Sequence, residues 1–71
     1  MTEVRLVGWR KGLQVVSLIK AMYNYAGVRL PEAKALVEEL LSGRSIAVSF
    51  TDAAQADAFR ALASTLGAQV E

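Results

Sequence analysis

The chain has 71 residues, 54% hydrophobic and 21% charged, with five glycines, one proline, no cysteine, no histidine and a net charge of +1. This is the composition of one small globular domain, 1–71, and such a chain buries only about 60% of its unfolded surface, which leaves little material for a deep catalytic cleft. Without cysteine or histidine there is no disulfide framework, no thiolate metal site and no imidazole to act as general base or zinc ligand.

Glu3–Val7 reads as a short strand, with Val4 and Leu6 on one side and Arg5 and Val7 on the other. Gly8-Trp9-Arg10-Lys11-Gly12 has the composition of a surface loop. The spacing then predicts a helix over Leu13–Ala26, ended by Gly27, a residue tolerant of positive φ. A second helix is predicted from Pro31, because proline suits the first helical turn and Ala33, Leu36, Val37, Leu40 and Leu41 repeat with helical spacing. Ser42-Gly43-Arg44 closes it.

Ser45–Phe50 alternates strictly, which turns Ile46, Val48 and Phe50 toward a core. Thr51 or Asp52 caps a third helix, with Gln55 three residues after Asp52, and Ala56, Phe59, Leu62, Ala63 and Leu66 form its buried stripe. Gly67 stops it and Ala68–Glu71 forms a last strand. The expected fold is α+β, strand-helix-helix-strand-helix-strand, a two-layer sandwich with a three-stranded sheet covered on one face by three helices. The longest uncharged stretch, Ala61–Val70, is far below the roughly 20 residues that span a bilayer, and Met1-Thr2-Glu3 does not begin a signal peptide. A soluble, cytoplasmic protein is expected.

The first helix carries more apolar surface than packing requires. At about 100° per residue, the apolar side chains of Leu13–Ala26 cover roughly 180°, whereas a packed surface helix needs about 100°. The surplus edge falls on Val16, Ile19 and Tyr23, adjoining Lys20, and in a helical hairpin Lys34 of the second helix stands near Lys20. A contiguous apolar patch edged by charge marks a protein-binding site. Residues 1–34 also hold six basic side chains against two acidic, and residues 35–71 two against five, which points the first half toward an anionic partner.

Leu18-Ile19-Lys20-Ala21, then Gly27, then Leu30-Pro31-Glu32-Ala33-Lys34-Ala35-Leu36-Val37-Glu38 resembles the C-terminal domain of the bacterial ribosomal stalk protein, large-subunit protein seven/twelve. The ending Leu66-Gly67-Ala68-Gln69-Val70-Glu71 resembles that family's close. The resemblance implies a domain that recruits translational GTPases through its first two helices, with the factor-binding surface on Val16, Ile19, Lys20 and Lys34 and with Glu32 and Gly27 nearby. Val15 and Tyr23 stand where the family usually has basic residues, Ser17 stands for an alanine of the same patch, and Arg29 replaces a glycine in the turn. The family's N-terminal dimerisation segment and Ala/Gly-rich hinge have no counterpart in these residues. A second resemblance, through Gly43-Arg44-Ser45-Ile46, Thr51 and the helix beyond, is to the Clp protease adaptor ClpS, although that family's pocket histidine is missing.

The expected function is therefore a non-enzymatic protein-interaction module without cofactor, metal or small-molecule substrate. Its partner is expected to be a translational GTPase, with the ribosome as a further contact. Alternatives are another protein partner, a homodimer through the first helix, or RNA held by Trp9, Arg10 and Lys11, since a cationic loop with an aromatic can grip phosphate and stack a base. No nucleophile is spaced with a base in an interpretable way, and Asp52 is explained as a helix cap.

Overall fold

The computed structural model describes residues 2–71. Its elements are β1 (Thr2–Trp9), α1 (Val15–Ala21) continued by a π-helical turn (Met22–Ala26), α2 (Leu30–Leu41), β2 (Ile46–Phe50), α3 (Ala53–Leu66) and β3 (Ala68–Val70). The architecture is the expected α+β arrangement: β1 lies at the centre of an antiparallel sheet ordered β2-β1-β3, with the helices packed on one face.

Period-two patterning explains the sheet. Val4, Leu6, Ile46, Val48, Phe50 and Ala68 face the helices and are buried, while Glu3, Arg5, Ala47, Ser49 and Gln69 are exposed on the open face. Helical spacing explains the other layer: α1 and its π turn contribute Leu18, Ala21 and Met22, α2 contributes Ala33, Val37 and Leu40, and α3 contributes Ala56, Phe59, Ala63 and Leu66. The Phe50 and Phe59 rings meet at 5.2 Å between centroids, tilted by 44°, and join the sheet to α3. No polar or charged residue is buried among the described residues.

Several boundaries differ from the sequence reading. β1 continues through Gly8 and Trp9, read above as loop, because β3 supplies partners: Gly8 lies opposite Gln69 and Trp9 opposite Ala68. The register shifts between Leu6 and Gly8, an added residue in β1 that forms a β-bulge and turns Trp9 to the same side as Ala68. β2 starts at Ile46 and β3 ends at Val70, each one residue shorter than expected. The first helix starts at Val15 rather than Leu13, since the Leu13 N–H bonds back to the Arg10 carbonyl at 3.1 Å in the preceding turn.

Its last turn is π-helical, with the Val28 N–H reaching the Met22 carbonyl at 3.3 Å, one residue wider than a Schellman closure. Gly27, at φ 69°, reverses the chain there, as expected. α2 begins at Leu30 with Pro31 inside its first turn, where the missing N–H costs nothing. Asp52 caps α3 by accepting from the Ala54 N–H at 2.9 Å, and Gly67, at φ 109°, ends it.

Candidate functional site

α1 and α2 form the helical hairpin that the glycine turn requires, and between them lies an open groove of about 520 Å³. Its walls are Val16, Ile19 and Lys20 from α1 and Leu30, Pro31 and Lys34 from α2. The floor is apolar, and among the described residues the lysines supply its only charged groups. Val16 is 65% exposed and Leu30 49%, so the groove offers apolar surface that the fold itself leaves uncovered.

Each wall has a local cause. Val16 lies two residues before buried Leu18, on the turn of α1 that points away from the sheet, and Ile19 follows on the same side, half-buried. Leu30 and Pro31 occupy the first turn of α2, beyond the end of the buried stripe that starts at Ala33. The N-terminus of α2 adds the positive end of its peptide dipole to the lysine charges, partly offset by Glu32 in the same turn. Among the described residues, ion pairs join Arg5 to Glu71 at 3.7 Å and Arg44 to Glu39 at 3.8 Å, and neither involves Lys20 or Lys34.

Four candidate residues thus come together: Val16, Ile19, Lys20 and Lys34. Tyr23 is 53% exposed on the π turn but does not line the groove. Ser17 is half-buried on α1, Arg29 is the exposed residue preceding α2, and Glu32 is exposed on its first turn; none of these three lines the groove. The sequence reading left out Leu30 and Pro31. A helix drawn from Pro31 leaves Leu30 in the turn, although its spacing to Ala33 and Val37 continues the apolar stripe by one step.

The Trp9-Arg10-Lys11 segment is organised differently from a free cationic loop. The Arg10 guanidinium donates to the carbonyls of Ala68, at 3.4 Å, and Ser64. Its backbone N–H donates to the Gly67 carbonyl at 2.7 Å. Arg10 thereby satisfies the Ser64 and Gly67 carbonyls at the C-terminal end of α3, where a cation also complements the helix dipole, and reaches the first residue of β3. Lys11 remains exposed and Trp9 is 42% exposed.

No protein-family profile and no curated protein matches this chain. No helix among the described residues is long and apolar enough to cross a membrane.

Proposed function

We propose that the domain is a non-enzymatic recruiter that captures a protein partner in the α1–α2 groove, as the ribosomal stalk C-terminal domain captures translational GTPases. One observation carries this reading: an apolar groove whose rim holds two lysines, Lys20 and Lys34, without an ion-pair partner among the described residues. The residue-by-residue resemblance around Lys20 and Lys34 supports the choice of partner. Apolar contact with Val16, Ile19 and Leu30 would supply affinity, and the lysines would meet carboxylates on the factor, which raises association rate and sets orientation more than it adds affinity. Such a domain acts in the cytoplasm, alongside the ribosome.

The test is capture of bacterial elongation, initiation and release factors by the intact domain, beside Lys20→Glu and Lys34→Glu. Both substitutions lie on exposed positions and should leave the melting temperature unchanged. Translational GTPases held by the original chain and lost in both variants bear the reading out. Capture unaffected by either charge reversal removes the groove from the account, and capture of ribosomal material that disappears after nuclease treatment replaces it with RNA binding.

A further inference from the structure

The sheet has two free edges, and they are built differently. The β3 edge is three residues long and is tied down: the Arg60 guanidinium donates to the Glu71 carbonyl at 2.8 Å, and the Glu71 carboxylate pairs with Arg5 at 3.7 Å. Short, charged and covered edges resist further pairing. The β2 edge has none of these guards. Residues 45–51, Ser-Ile-Ala-Val-Ser-Phe-Thr, contain no charge, no proline and no glycine. Among the described residues, β2 pairs with β1 alone, in unbroken register from Ile46 to Phe50, and its outer row of backbone groups bonds to nothing else.

We propose that β2 is a dimerisation edge whose occupant is β2 of a second copy of this chain. The two strands run antiparallel about a two-fold axis at Val48 and complete a six-stranded sheet. What selects this partner is the self-complementarity of the segment about Val48. In that register Val48 faces Val48 of the second copy, Ile46 faces Phe50, Ala47 faces Ser49, and the hydroxyl of Ser45 faces that of Thr51. At both ends Arg44 falls opposite Asp52 of the second copy, so the only charges flanking the edge meet with opposite sign, twice.

The ladder itself spans Ile46–Phe50, and beyond it, with Arg44 in the turn after α2 and a bend at Thr51, the two charges meet through their side chains. Asp52 is extended at φ −121°, ψ 122°, and its exposed carboxylate gives one oxygen to the Ala54 N–H, leaving the other free. The Arg44 N–H is anchored to the Glu39 carbonyl at 3.1 Å in the turn after α2, while its guanidinium makes a loose, solvent-exposed pair with the Glu39 carboxylate at 3.8 Å, an interaction that yields readily. Slipping the register by one residue would turn every side chain of one strand to the wrong face, and slipping it by two would keep the faces but separate Arg44 from Asp52, so the charges favour the alignment centred on Val48.

The experiment is sedimentation equilibrium of the full chain over a wide concentration range, together with a crosslinking test of the register. A reversible dimer is expected, and Arg44→Glu, which sets a new carboxylate against that of Asp52 at both ends, should weaken it roughly tenfold or more. The chain has no cysteine, so Ala47→Cys and Ser49→Cys proteins can be mixed under mild oxidation. The register predicts a disulfide between the two variants and little within either alone. A chain that stays monomeric at all concentrations overturns the proposal. A dimer insensitive to Arg44→Glu and lacking the mixed crosslink overturns it as well, and loss of that dimer in Lys20→Glu would move the interface to α1.

Discussion

Replacing Gly27 and Gly67 by alanine separates two backbone costs that the fold combines differently. Both glycines have positive φ, 69° and 109°, and both close a helical segment. An alanine in the left-handed region costs about 1–2 kcal/mol. At Gly27 the added methyl group meets nothing within 4 Å, so the cost ends there. At Gly67 the new Cβ falls 3.0 Å from Leu13 Cα and 3.4 Å from Leu13 N. Those are backbone atoms, which have no rotamer to escape into. The surrounding junction is also pinned by bonds from the Arg10 N–H to the Gly67 carbonyl at 2.7 Å and from the Gln14 N–H to the Leu66 carbonyl at 2.9 Å. Forced overpacking adds about 1–3 kcal/mol, and φ 109° lies outside the narrow well, roughly 50–70°, that side chains tolerate. Gly67→Ala should therefore lose about 2–5 kcal/mol and Gly27→Ala about 1–2 kcal/mol. In thermal melts followed by circular dichroism, at about 4–8 °C per kcal/mol for a domain of this size, Gly67→Ala should fall roughly twice as far as Gly27→Ala. Equal losses in the two variants would refute the close approach of Gly67 to Leu13.

Further substitutions, two of them controls, bear on the frame that carries the groove. Leu18→Ala empties a fully buried position of α1 and should cost about 2–5 kcal/mol in the same melts. Asp52→Ala removes the acceptor for the Ala54 N–H and should cost about 1 kcal/mol, most of it restored by Asp52→Asn. Arg10→Ala frees the carbonyls of Ser64 and Ala68 and should cost about 1 kcal/mol, whereas Lys11→Ala beside it should stay within about 0.5 kcal/mol.

The parts legible in the sequence are those where a repeat is long enough for its phase to be unambiguous. Ile46, Val48 and Phe50 alternate without interruption, and Ala56, Phe59, Ala63 and Leu66 keep helical spacing along α3, so a change of phase would expose a whole face. Gly8 and Trp9 escape such reasoning because what makes them strand is β3, at the far end of the chain. The π turn escapes it because helix arithmetic assumes a constant pitch, while Met22 is held in the core and Gly27 arrives one residue late. At the groove, the excess apolar arc of α1 identifies Val16, Ile19 and Lys20 in advance. Leu30 is within reach of the same arithmetic through its spacing to Ala33 and Val37 but falls outside a helix drawn from Pro31, and Pro31 itself escapes it, since proline marks where a helix starts and says nothing about which way its first turn looks.

Whether the exposed edge of α1 is a binding surface or an ordinary scatter of apolar residues is decided at Val16. The core is complete without it: Leu18, Ala21 and Met22 supply the fully packed contribution of this helix, and Val16 stands 65% exposed two residues before Leu18. Val16→Ser should therefore leave the free domain within about 0.5 kcal/mol of its original stability. In a complex that seats a partner on the groove, the same substitution removes the burial of a valine side chain, worth about 1–2 kcal/mol, or roughly a five- to thirtyfold loss of affinity. Titration of a captured factor with both forms of the chain, beside a melt of each, measures the two quantities independently. A Val16→Ser domain that melts markedly earlier would make this residue part of the fold, and one that binds as tightly as the original would place the contact elsewhere on the molecule.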